Sequence, residues 1–105
     1  MTGLFYGTGT AIVTPFRNGK VDIFAFENLV KRQLSAGINA LIVCGTTGES
    51  ATLGDKEHRE LIKACIDQVA GRVPVIAGTG SNDTVYSVEL CDDAEKVGAD
   101  AFLMV

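Results

Sequence analysis

Apolar residues recur along this chain in two alternating rhythms. Short, nearly unbroken apolar runs read as strands buried on both faces, and between them lie longer stretches whose apolar positions follow a helical period. The first run is Ala11-Ile12-Val13-Thr14, closed by Pro15, with a turn to follow at Asn18-Gly19. From Ile23 to Ala36 the residues Ile23, Phe26, Leu29, Val30 and Leu34 share one helical face, and Asp22 is placed to cap it. Gly37 followed by Ile38 predicts a Schellman ending. A second strand, Ala40-Leu41-Ile42-Val43-Cys44, leads into the loop Gly45-Thr46-Thr47-Gly48-Glu49. The next helix opens at Gly54 and Asp55, turns Leu61, Ile62, Cys65, Ile66 and Val69 inward, and ends at Gly71. A third strand, Val73 to Ala77, runs into the loop Gly78 to Asp83, and a third helix extends to Val97. The segment Gly98 to Met104 then repeats the pattern of Gly37 to Val43, which predicts a fourth strand.

This β/α alternation makes the chain an α/β protein, with four parallel strands and three helices expected. Two architectures accommodate it: about the first half of a (β/α)8 TIM barrel, or an open doubly wound sheet. The open dinucleotide-binding sheet would carry a G-x-G-x-x-G turn directly after the first strand, where this chain has Thr14-Pro15-Phe16-Arg17-Asn18-Gly19. The absence of that turn favours the barrel half. A complete barrel takes about 250 residues. With 105 residues, the chain is expected to be the amino-terminal part, 1–105, of a single barrel domain.

Composition narrows the function classes. At 47% hydrophobic and 21% charged residues, the chain lies far from the polar profile of disordered proteins. Nine Lys and Arg against 13 Asp and Glu leave a formal charge of -4 and no basic run to track a phosphate backbone, which argues against nucleic acid as a partner. The start, Met1 to Gly7, lacks the basic and apolar regions of a signal peptide, and no apolar run approaches the length of a membrane span. Cys44, Cys65 and Cys91 are odd in number and widely spaced, so they read as buried thiols of a reducing cytoplasm.

Ligands of parallel β/α folds sit beyond the carboxyl ends of the strands. Of the loops there, the one after Cys44 carries the most chemistry. Gly45 and Gly48 let backbone N–H groups approach a bound group, and Thr46 and Thr47 add hydroxyls, a donor set suited to a small carboxylate. A plain glycine-rich turn fits the same residues. Glu49 could act as a base, although a Glu after a tight turn more often bonds local backbone. His58 stands among Lys56, Glu57, Arg59 and Glu60, which predicts a solvated helix face and no metal role. Gly78-Thr79-Gly80 reads as a tight turn feeding a helix, with no ligand assigned. No metal cluster and no cofactor motif emerges. The lysines Lys20, Lys31, Lys56, Lys63 and Lys96 all fall in expected turns or helices, so no strand offers an imine-forming amine. Tyr6 precedes the first strand and Tyr86 belongs to the third helix.

Three segments in this order, Ala11-Ile12-Val13-Thr14-Pro15-Phe16, Gly45 to Leu53, and Pro74 to Asn82, resemble the 4-hydroxy-tetrahydrodipicolinate synthase (dihydrodipicolinate synthase) family. That family belongs to the wider pyruvate-dependent N-acetylneuraminate lyase group, whose neuraminate lyases usually carry Gly-Ser-Thr-Gly-Glu where this chain has Gly45-Thr46-Thr47-Gly48-Glu49. The resemblance implies a (β/α)8 barrel in which a lysine on a later strand forms a Schiff base with pyruvate. The enamine then attacks L-aspartate 4-semialdehyde, on the route to diaminopimelate and lysine. It implies that Thr47 and the loop backbone hold the pyruvate carboxylate, and that Thr46 passes protons between two tyrosines further along the chain. The Schiff-base lysine, both tyrosines and the arginine that receives the semialdehyde would all lie beyond Val105, so this chain alone should be inactive. In lysine-inhibited members an effector pocket surrounds positions matching Ser50, Ala51, His58, Gly80 and Asn82, and Tyr86 takes the place of the carboxylate that would receive the effector's ammonium group.

The full-length protein is thus expected to be a cytoplasmic homo-oligomer that binds pyruvate and L-aspartate 4-semialdehyde without a cofactor. Two alternatives remain: another aldolase of the neuraminate lyase type, or a non-catalytic half barrel that self-associates through its open edges.

Overall fold

The computed structural model describes residues 5–104. Expectations that fall on Met1–Leu4 and Val105 lie outside the described residues. The elements, in chain order, are β1 (Gly9–Ala11), β2 (Phe16–Arg17), β3 (Lys20–Val21), α1 (Ile23–Ser35), β4 (Ala40–Val43), a 3-10 turn (Ser50–Thr52), α2 (Asp55–Val69), β5 (Val75–Gly78), α3 (Thr84–Val97) and β6 (Ala101–Leu103). The strands β1, β4, β5 and β6 form one sheet in that order, with every neighbouring pair parallel.

Local chemistry sets the helix ends. Asp22 Oδ1 accepts from the Ala25 amide at 2.9 Å and caps α1. At the other end the Gly37 amide donates to Leu34 O and the Ile38 amide to Gln33 O, the paired bonds of a Schellman motif. Asp83 accepts from the amides of Val85 and Tyr86 to start α3, and Gly98, at φ 104°, ends it. Helix α2 has Gly54 at its N-cap, so a side chain from inside the helix does the capping: Glu57 Oε1 accepts from the Gly54 amide at 3.2 Å. The same carboxylate accepts from the Val21 amide through Oε2 at 3.3 Å, tying β3 to the start of α2. The end of α2 falls one residue before the expected Gly71: Ala70 itself takes the left-handed conformation, at φ 50°.

One face of the sheet makes the core. Leu41 and Val43 of β4 and Val75 and Ala77 of β5 are buried together with Phe26 and Val30 of α1, Leu61, Cys65 and Val69 of α2, and Ala94 of α3. The alternate residues Ile42 and Ile76 point the other way and stay half-buried, in register with Ala11 and Ala101. Helices thus cover one face and leave a row of small and branched side chains on the other. That is the arrangement of a barrel wall; a doubly wound sheet would carry helices on both faces.

Several expected boundaries shift. The first strand pairs at Gly9–Ala11 and not at Ala11–Thr14, because the ladder to β4 stops after the Ile12 amide reaches Ile42 O at 3.0 Å. Beyond it the Thr14 side chain is buried and turned to a loop. Between that point and α1 the chain makes a hairpin, β2–β3, where only a turn was expected. Asn18 and Gly19 both have positive φ, 54° and 77°, as a two-residue hairpin loop requires. Lys20, expected in a turn, therefore sits on a strand, though an exposed one outside the main sheet. The strand β5 starts at Val75, two positions later than expected, and continues through Gly78. The strand β4 ends at Val43 because Cys44 adopts φ 57°.

Candidate functional site

The turn that leaves β4 is built on unusual backbone. Cys44 and Glu49 are non-glycine residues with φ of 57° and 61°, and they bracket the segment that carries the threonines. Between them the Glu49 amide closes a turn onto Thr46 O at 2.9 Å, and the Ser50 amide reaches Gly45 O at 3.4 Å. Gly48 is buried, and a Cβ there would press to 3.3 Å on Ile12 O and on the Cys44 backbone. Gly78 packs tighter still, since a Cβ on it would overlap the Cys44 carbonyl. The loop is held from both neighbouring strands: Thr14 Oγ1 donates to Gly48 O at 2.7 Å on the β1 side, and Gly78 fits beneath Cys44 on the β5 side.

Thr46 and Thr47 are exposed at the tip of this loop. Among the described residues, neither hydroxyl has a hydrogen-bond partner, and the amides of Thr46, Thr47 and Gly48 donate to no described group. Free hydroxyls and amides at a strand's carboxyl end form a donor set without a full cationic charge, which a small carboxylate can occupy. Glu49 is exposed and, among the described residues, engages its neighbours through its main chain, its amide donating to Thr46 O and its carbonyl accepting from the Thr52 amide and Oγ1. The expected side-chain bond from Glu49 to local backbone is not among these contacts.

A cleft of about 380 Å³ opens beside the loop, between the starts of α2 and α3. Thr46 lines it and Thr47 does not. Ser50, Ala51, His58, Gly80, Asn82 and Tyr86, scattered in sequence, all face this one space. The Tyr86 hydroxyl donates to Asp55 Oδ1 at 2.9 Å, and Arg59 Nε donates to the same oxygen at 2.8 Å while its other end pairs with Asp93. The Arg59 hydrogen bond, joined by that of Tyr86, holds the Asp55 carboxyl below its usual range. Partial burial, then the contact with Asp55, pushes the Tyr86 phenol up. Asp55 is therefore already satisfied by its own neighbours.

His58 corrects its sequence expectation. The ring is only 3% exposed, on the inner face of α2, and Nε2 lies 2.7 Å from Gly78 O. A carbonyl only accepts, so the neutral ring carries its proton on Nε2. Burial lowers the His58 pKa, an effect only opposed in part by the Gly78 bond and by Asp55. Positions 58, 61, 62, 65 and 69 form one apolar-phase stripe, and that spacing was the available signal for its burial. Cys44 and Cys65 are buried as expected, and burial pushes both thiols up to about 12, which leaves them inert; Cys91 is half-buried. Among the described residues no three His, Cys, Asp or Glu converge as a metal site would require, and no helix is long and apolar enough to cross a membrane.

Comparison with known proteins follows the same residues. The chain matches the Dihydrodipicolinate synthetase family over residues 4–105. It is 54% identical over 101 residues to a 4-hydroxy-tetrahydrodipicolinate synthase of Nitratidesulfovibrio vulgaris, covering 96% of this chain and 35% of that protein. A synthase of the same name from Nitrobacter hamburgensis is 55% identical over 101 residues, of which the chain covers 34%. Among solved structures, dihydrodipicolinate synthase of Thermotoga maritima superposes with a TM-score of 0.92 at 48% identity, covering 97% of this chain and 35% of that one. The Aquifex aeolicus enzyme gives 0.91 at 46%, covering 93% and 33%. The chain thus spans about a third of the length of the relatives it matches. Its one-sided β/α wall is part of a (β/α)8 TIM barrel, and the chain belongs to the dihydrodipicolinate synthetase family.

Proposed function

We propose that the full-length protein carrying this chain is a class I, Schiff-base aldolase that condenses pyruvate with L-aspartate 4-semialdehyde to 4-hydroxy-tetrahydrodipicolinate. The observation that carries this reading is the Gly45–Glu49 loop: exposed hydroxyls and free amides at the carboxyl end of β4, in a chain whose relatives of that name match it along nearly its whole length. In this reading the pyruvate carboxylate rests on the Thr47 hydroxyl and the loop amides. A lysine from a later strand attacks the ketone carbon, and loss of water gives the imine. Its enamine carbon forms the new C–C bond to the aldehyde. Thr46, one residue from the bound carboxylate, relays protons between tyrosines of the later strands. The parent enzyme is read as a cytoplasmic homo-oligomer that needs no metal or organic cofactor.

This division of labour assigns the present 105 residues the carboxylate pocket and leaves the imine chemistry to later strands. None of the chain's lysines lies on a strand of the main sheet. Borohydride reduction in the presence of labelled pyruvate tests the reading directly. Full-length protein should take up one label per subunit on a lysine beyond position 105, and the 105-residue chain should take up none above background. Label on Lys20, Lys31, Lys56, Lys63 or Lys96, or no label on the full-length protein, would contradict it.

A further inference from the structure

We infer that Thr14 is a positioning residue for the proton-relay loop, acting on Thr46 through a single peptide plane. Thr14 is buried just beyond the last rung between β1 and β4, and its hydroxyl donates to Gly48 O at 2.7 Å. The Gly48 carbonyl and the Glu49 amide belong to one rigid peptide unit, so fixing the first fixes the second. That amide donates to Thr46 O at 2.9 Å. The path from Thr14 to Thr46 is thus one hydrogen bond, one peptide plane and one further hydrogen bond.

The loop needs such a clasp. It is bracketed by Cys44 and Glu49, both at positive φ without being glycine, a conformation that persists only where the surroundings over-determine it. On the β5 side the restraint is steric, from Gly78 beneath the Cys44 carbonyl. On the β1 side the Thr14 hydroxyl is the polar restraint, and it also satisfies a carbonyl on the buried Gly48 that is otherwise cut off from water. Removing the hydroxyl leaves that oxygen unpaired and frees the peptide to rotate, and Thr46 shifts with it. Small displacements of a group that must meet a reacting atom cost rate out of proportion to the stability they cost.

This inference rests on the proposed aldolase reading for its kinetic part. In the full-length protein, Thr14→Val keeps the shape and removes the donor. It should lower kcat roughly tenfold to a hundredfold with a smaller rise in the pyruvate KM, while Thr14→Ser, which restores the hydroxyl, should stay within about threefold of the parent. Amide hydrogen exchange supplies a readout that does not depend on the reaction. The Glu49 amide should exchange at least about tenfold faster in Thr14→Val than in the parent and return to the parent rate in Thr14→Ser. If Thr14→Val does not fold, Thr14→Cys, with its weak S–H donor, takes its place against Thr14→Ser. Equal kcat and equal Glu49 exchange in the two variants would overturn the inference, as would losses that merely track a lowered Tm. Failure of the aldolase reading shows elsewhere, in absent lysine trapping, and leaves the exchange result to decide the role of Thr14.

Discussion

The two strand-to-helix loops that meet at the cleft use the same residue types in opposite ways. After β4, Thr46 and Thr47 hold their hydroxyls out, and the loop is kept in shape by left-handed backbone at Cys44 and Glu49 and by clasps from outside. After β5, Thr79 is fully buried, accepts from Cys91 Sγ at 3.2 Å through its hydroxyl, and accepts from Ser87 Oγ at 2.6 Å through its carbonyl. Ser81 accepts from the Asp83 amide, and Asp83 in turn caps α3. One loop leaves its threonine hydroxyls turned outward and unpaired among the described residues; the other turns its threonine inward and ties it to α3. A site for an external ligand needs the first arrangement; a wall that holds the site in place needs the second.

The largest test of this contrast is at Thr46. Removing its hydroxyl with Thr46→Val should lower kcat of the full-length enzyme by roughly two to four orders of magnitude, the range of general acid/base catalysis, with little change in pyruvate affinity. Thr47→Ala should act on binding. One lost hydrogen bond to a charged carboxylate is worth about 1.5–3 kcal/mol, or roughly tenfold to a hundredfold in the pyruvate KM, softened where loop amides persist. Steady-state kinetics on both variants would break the comparison if both effects were small and alike, since the β4 loop would then be only a turn.

On the other side of the cleft the expected damage is to stability. Gly78→Ala places a methyl group onto the Cys44 carbonyl and within 2.9 Å of Gly45 N, atoms of main chain that cannot rotate away. Overpacking of this kind costs about 1–3 kcal/mol and occasionally more. Thermal unfolding of the full-length variant should therefore show a lowered Tm. A Tm equal to the parent's would mean that the strand ends are looser than the packing at Gly78 implies.

What could be read from the sequence is what is local in the chain. The Asp22 cap, the Gly37–Ile38 ending and the glycine-bounded threonine pair each depend on residues within a turn or two of one another, and each stands where the pattern put it. The first strand lies ahead of its expected place because Gly9 and Ala11 are poor strand formers that leave Thr10 alone to signal it; pairing with β4 makes the three a strand. The Thr14 clasp joins residues 34 apart, and Gly78 meets Cys44 across two strands, so neither leaves a mark in any short window. His58 is different. Its phase on α2 was readable, but the charged residues on either side of it outweighed the spacing, and only its contact with Gly78 reveals which consideration governs.

That contact joins the two loops, and its pH dependence gives the smallest effect. His58 ties the start of α2 to the end of β5 through Nε2 and Gly78 O, while its own carbonyl accepts from Cys44 Sγ at 3.7 Å. Because Nε2 already carries the proton that Gly78 O needs, a second proton has to enter at Nδ1. Burial accordingly sets the folded pKa below the ordinary 6.5, and the unfolded chain takes up its proton first as pH falls. The stabilisation is complete above about pH 6.5 and is lost as pH falls through the folded value. Asp55 and Arg59 also act on the ring, the first raising and the second lowering its pKa, and neither reverses the direction. His58→Gln retains an N–H for Gly78 O and removes the titration. Between about pH 7.5 and about pH 5.5 the Tm of the parent should fall further than that of His58→Gln. Parallel Tm curves would mean that His58 titrates as freely in the folded protein as in the unfolded chain, and that the joint between the loops opens without cost.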